Sequence, residues 1–128
     1  MTYRYGPLHS PYDFRLLHVS PGVGDQPVHC RLAHDTLGGQ TKYHALSYTW
    51  GSLEETSTVT VNGCLYNVTA NLLSALSNLR HPKKESAFWV DRICIDQSND
   101  DERSQQVAQM RDVYEKAENV DIWLGSHT

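Results

Sequence analysis

At 128 residues, with 39% hydrophobic and 20% charged side chains, the chain has the size and composition of one globular domain and not of a disordered segment. A net charge of −4 argues against a general nucleic-acid binder that relies on attraction to phosphates. No apolar run approaches the ~20 residues of a membrane span, the start MTYRYGPLHS lacks the apolar core of a secretory signal, and three cysteines without a CxxC pair fit a reduced, cytoplasmic protein.

Residues 1–11 carry Tyr, Gly, Pro and His without periodicity, so a poorly tied lead-in is expected before a single domain over 12–125, with 126–128 as a tail. FRLLHV (14–19) is a short apolar run ended by Ser20-Pro21-Gly22, which predicts a strand and a turn. VHCRL (28–32) predicts a second strand, and Gly38-Gly39 a loop. YHALSYTW (43–50), aromatic-rich and closed by Gly51, predicts a third. Over 56–67 the clearest signal appears: Val59 and Val61, then Asn62-Gly63, then Leu65 and Tyr66 spell an antiparallel hairpin. Both central turn residues need positive φ, and Asn and Gly tolerate it best.

Thr69 caps a predicted helix over 70–79 with Leu72, Leu73, Leu76 and Leu79 on one face, and His81-Pro82 ends it. AFWVDRICI (87–95) reads as a buried strand broken by Asp91-Arg92. Asn99, with Glu102 three residues on, fits a capping box. It opens a helix over 100–118 whose apolar face is Val107, Met110, Val113, Tyr114 and Ala117. VDIWL (120–124) is the last strand, stopped by Gly125. Strands alternating with helices from Tyr43 onward imply an α/β fold. Its mixed, largely parallel central sheet has flanking helices and an antiparallel Asn-Gly hairpin. A chain that stops on a strand, with no closing helix, is expected to be a truncated unit or to continue in the natural protein.

In open α/β sheets, ligands bind beyond the carboxyl ends of parallel strands. That rule nominates Ser47, Tyr48 and Trp50 after the third strand. It also nominates Asp91, Asp96 and Gln97 around the AFWVDRICI segment, and Glu102 and Arg103 at the next helix start. Each has a plainer reading. Glu102 completes a helix cap, Asp91 pairs with Arg92 or Arg103, and Trp50 and Trp89 pack in the core. Cys94 lies in an apolar run and reads as a buried small hydrophobe rather than a nucleophile. His29, Cys30 and His34 lack a second ligand pair at zinc-like spacing, so no metal is expected.

The blocks YHALSYTWG (43–51), FWVDRICIDQ (88–97), ERSQQVAQM (102–110), VYEKA (113–117) and VDIWLG (120–125) occur in this order. Together they resemble the heterokaryon incompatibility (HET) domain of filamentous fungi, and FRLLHVSPG and the 68–72 stretch are similar to its pattern as well. That pattern usually carries Asn at the position of Asp96, Asp at that of Asn99 and a small residue at that of Arg92. The resemblance implies a signalling domain of non-self recognition that triggers programmed cell death, acting as a homo-oligomer or with an incompatibility partner or sensor domain. It also implies a remote likeness to TIR domains, with a TIR- or flavodoxin-like fold. Many TIR domains cleave NAD with an acidic residue at the start of a helix after a central strand. By order of elements that residue is Glu102. Two functions are therefore carried forward: a non-catalytic adaptor that needs no cofactor, and a glycohydrolase with NAD as substrate. An inactive truncated fragment is the third expectation.

Overall fold

A computed structural model describes residues 5, 6, 8, 12–48 and 57–123, with only the backbone of Tyr48. In chain order it contains β1 (Asp13–Val19), β2 (His29–Thr36), β3 (His44–Tyr48), β4 (Ser57–Val61) and β5 (Cys64–Val68). These are followed by α1 (Ala70–Leu79), β6 (Ser86–Trp89), the short α2 (Asp91–Cys94), α3 (Asp100–Lys116) and β7 (Asn119–Trp123). The strands form one mixed sheet in the order β5-β4-β2-β1-β6-β3-β7.

The first strand lies in the middle. β1 runs antiparallel to both β2 and β6, with Leu17 opposite Leu32 on one side and opposite Phe88 on the other. β4 and β5 are the antiparallel Asn-Gly hairpin, whose turn places Asn62 at φ 52° and Gly63 at φ 80°. Parallel pairs join β2 to β4, β6 to β3 and β3 to β7. The sheet is thus evenly mixed and not largely parallel. The βα alternation reads only the part after Tyr43, and says nothing of a strand that arrives from the amino-terminal side and inserts beside β6.

Alternation of side chains explains the core. Cys30 and Leu32 of β2 and Val59 and Val61 of β4 point inward, while Arg31 and Thr58 stay outside. α1 keeps the predicted bounds: the Thr69 hydroxyl accepts from the Leu72 amide at 3.2 Å, and Leu72, Ala75 and Leu76 are buried. The helix ends where the Arg80 amide donates to the Leu76 carbonyl. The buried Arg80 guanidinium then donates to the carbonyls of Gly24, Gln26 and Pro27, fastening the β1–β2 loop beneath the end of α1.

Two expectations change here. The strand expected over 87–95 stops at Trp89, because the Ile93 and Cys94 amides both turn back to the Val90 carbonyl and close α2. Ile93, Cys94 and Ile95 remain buried, so the apolar run marks burial and not extension. In α3, Val107 is exposed, and the buried positions are Glu102, Gln106 and Val113, with Met110, Tyr114 and Ala117 packed partly against the core. A helix whose buried stripe begins with a carboxylate and an amide needs polar partners on the sheet.

Candidate functional site

Those partners come from β1. As a central strand it is covered on both faces, so Phe14 and Leu16 are buried one way and Arg15, Leu17 and Val19 the other. An arginine at 0% exposure must satisfy its donors inside the protein. Its two terminal nitrogens do so, beginning with a two-pronged pair: Nη1 donates to Glu102 Oε2 and Nη2 to Oε1, both at 2.7 Å. Further donors reach the Cys94 carbonyl at 3.1 Å and the Gly6 carbonyl at 2.7 Å. Glu102, 7% exposed, also accepts the Asp96 amide at 2.6 Å. The parallel fork is the geometry in which guanidinium and carboxylate bind most strongly. It ties β1, α2 and α3 to one another.

Glu102 also belongs to the helix cap. Its amide donates to the Asn99 side chain at 3.1 Å, as the capping box predicts. The return arm differs: the carboxylate takes the amide of Asp96 and not that of Asn99. Asp100 and Asp101 then suit the positive end of the helix. Four residues on from Glu102, Gln106 donates to the Asp13 carbonyl at 3.1 Å, a second polar bond between α3 and β1.

The remaining candidates divide. β3 and β6 are parallel neighbours with Ala45 opposite Trp89, so Ser47 and Asp91 emerge at the same end of the sheet. Ser47 is half-buried and faces Ile122 of the adjoining β7, and the Tyr48 backbone pairs with that of Trp123. Trp50 lies outside the described residues. Asp91 is half-buried at the start of α2, and burial pushes its carboxyl above the usual range against the opposing pull of Arg92. Its carbonyl accepts from Gln97 Nε2 at 2.8 Å, so Gln97 is a clasp on α2. Asp96 turns to its own loop, accepting the Ser98 amide and hydroxyl at 3.2 and 2.7 Å. Arg103 pairs with Asp100 at 2.9 Å on the exposed face of α3.

The lead-in residues Tyr5 and Gly6 are firmly tied, contrary to the expectation for 1–11. The Tyr5 hydroxyl donates to the Ile93 carbonyl at 2.7 Å and shares a 2.8 Å bond with the Tyr66 hydroxyl. Its ring lies 4.8 Å from the Arg15 guanidinium. On the other side of Tyr66, Arg92 donates to the same hydroxyl at 3.0 Å and lies 5.7 Å from the ring. Arg15 is the residue that sequence reasoning missed. Its signal was an arginine at an inward position of an otherwise apolar strand.

A cleft of about 220 Å³ is lined by Leu8, Asn99, Asp101, Glu102 and Gln105, at the start of α3. Burial raises the thiol of Cys94 to about 12, which keeps it protonated and unreactive at neutral pH. Among the described residues no group of three His, Cys, Asp or Glu side chains is placed to share a metal ion, and no helix is long and apolar enough to cross a membrane. His29 bonds Thr60 at 2.6 Å.

The family model described as heterokaryon incompatibility protein (HET) matches residues 43–128. The curated heterokaryon incompatibility protein 6, OR allele, of Neurospora crassa is 32% identical over 125 residues. That alignment takes in 87% of this chain and 18% of the relative, so the chain spans less than a fifth of the relative's length. No solved structure matches.

Proposed function

This chain belongs to the heterokaryon incompatibility (HET) family, and from that premise we propose that it is a signalling domain of fungal non-self recognition. In this reading it triggers cell death in the cytoplasm by assembling with copies of itself or with a sensor, without a cofactor. The observation that carries the reading is the engagement of Glu102. Both carboxylate oxygens are held by Arg15, and one also takes a backbone amide, at 7% exposure. A carboxylate so committed supports the fold, while assembly needs only the outer faces of the helices.

Killing by the full chain tests this in a fungal host. Arg15→Met with Glu102→Leu replaces the buried pair by apolar side chains of similar length, an exchange that is often neutral for stability. On the signalling reading the double variant folds and still kills. Lost killing with an unchanged melting temperature favours chemistry at Glu102.

One observation supports a second reading: Glu102 is among the residues that line the 220 Å³ cleft. There Glu102 would stabilise the positive charge that builds on a ribose as the nicotinamide bond of NAD breaks, in the manner implied by the TIR likeness. Purified, concentrated protein should then consume NAD, and Glu102→Gln should not. No consumption by the wild type ends this reading and leaves the first standing.

A further inference from the structure

The contacts of Tyr5 have the form of a bound ligand. Its ring lies against the Arg15 guanidinium at 4.8 Å, its hydroxyl reaches the Ile93 carbonyl and the Tyr66 hydroxyl, and the next residue's carbonyl accepts from Arg15 Nη2. Tyr5 and Gly6 belong to no strand or helix, so the attachment is made by side chains and not by a ladder. The receiving groups are fixed independently of Tyr5. Arg92 holds the Tyr66 hydroxyl at 3.0 Å, Glu102 holds Arg15, and α2 sets the Ile93 carbonyl. A site pre-organised in this way loses little freedom when it is filled.

We infer that Arg15, Tyr66 and the Ile93 carbonyl form a receptor for a tyrosyl peptide, a phenol followed by a backbone carbonyl, which Tyr5 and Gly6 occupy in cis. The partner is thus a chain presenting a tyrosine in an extended, accessible segment, which displaces the domain's own lead-in. The hydroxyl is the discriminating group. A phenylalanine in its place leaves the buried Ile93 carbonyl without its donor, and sites built around such a bond reject the analogue that lacks it. The inference goes beyond the signalling reading and does not depend on NAD cleavage.

The test uses the full 128-residue chain. Tyr5→Ala empties the site, and calorimetric titration compares acetyl-Tyr-Gly-amide with acetyl-Phe-Gly-amide. The tyrosyl peptide should bind at least tenfold more tightly than its analogue, and at least tenfold more tightly to the variant than to the wild type. The wild type is weaker because the tethered segment competes at an effective concentration on the order of millimolar. Equal affinity for the two peptides marks a plain apolar cavity and overturns the proposal. So does a variant that melts cooperatively and binds neither peptide. Should Tyr5→Ala fail to fold, Tyr5→Phe keeps the ring and removes the competing hydroxyl, with the same outcomes expected. In the wild type itself, ~10–100 mM tyrosyl peptide should shift the Arg15 guanidinium NMR signals and the phenylalanyl peptide should not; identical responses again overturn it.

Discussion

Removing the Glu102 carboxylate strands a buried guanidinium. In Glu102→Ala, Arg15 at 0% exposure keeps the Cys94 and Gly6 carbonyls but loses both bonds of the fork, and the Asp96 amide loses its acceptor. Breaking a buried pair from one side costs about 3–5 kcal/mol, because the surviving charge stays buried and uncompensated. An unfolding entropy of about 2.1 cal/mol/K per residue gives roughly 0.27 kcal/mol/K for 128 residues. The melting temperature should therefore fall by about 11–19 °C, followed by circular dichroism. Arg15→Met with Glu102→Leu should recover most of the loss, since no charge is then stranded. A fall of only ~2 °C in Glu102→Ala would refute the reasoning, for it would mean that water reaches Arg15 freely. The size of the expected loss also bears on function: an inactive Glu102→Ala reports unfolding before it reports chemistry.

Thr69→Ala removes the acceptor for the Leu72 amide and should cost about 1 kcal/mol, a fall of roughly 4 °C in the same melt. Burial disfavours the charged form of Asp91 and holds its carboxyl above the usual range, so stability falls as the pH rises past the unfolded value, and the loss is complete once the pH exceeds the folded one. Asp91→Asn should therefore melt higher than wild type at pH 7, with the gap closing below about pH 4, where both states carry the proton. A gap constant with pH would contradict this. The Cys30 and Cys94 thiols, both pushed up to about 12 by burial, hold almost no thiolate at pH 8, whereas Cys64 is only half-buried. Iodoacetamide should label Cys64 in the native protein and all three cysteines after denaturation, as counted by mass spectrometry.

Local rules placed the elements well where one signal sufficed. Asn62-Gly63 fixed the hairpin through its φ requirement, and Thr69 with His81-Pro82 set both ends of α1. They failed where tertiary pairing decided. AFWVDRICI is apolar throughout, and periodicity cannot separate a buried strand from a strand followed by a buried helical turn. β1 looked like an ordinary first strand, because nothing local reports that both its edges will be paired. The same blindness hid the site. Glu102 was legible as a capping residue and a candidate acid, but its partner lies 87 residues earlier in the chain, and only the sheet order brings the two together. Of the carboxyl-end candidates, Ser47 and Asp91 emerge together because β3 and β6 pair in parallel, while Asp96 and Arg103 make local bonds that spacing alone does not reveal.

The family match begins at residue 43, beyond β1 and β2. Trimming the protein to that boundary would remove the keystone of the arch: β5-β4 and β6-β3-β7 would be left as two islands sharing no ladder. Glu102 would keep its place on α3 but lose its counter-ion. The recognisable stretch is thus shorter than the foldable one, and a recombinant HET unit of this type has to start upstream of Asp13, with Tyr5 retained if the latch on Arg15 is to be kept.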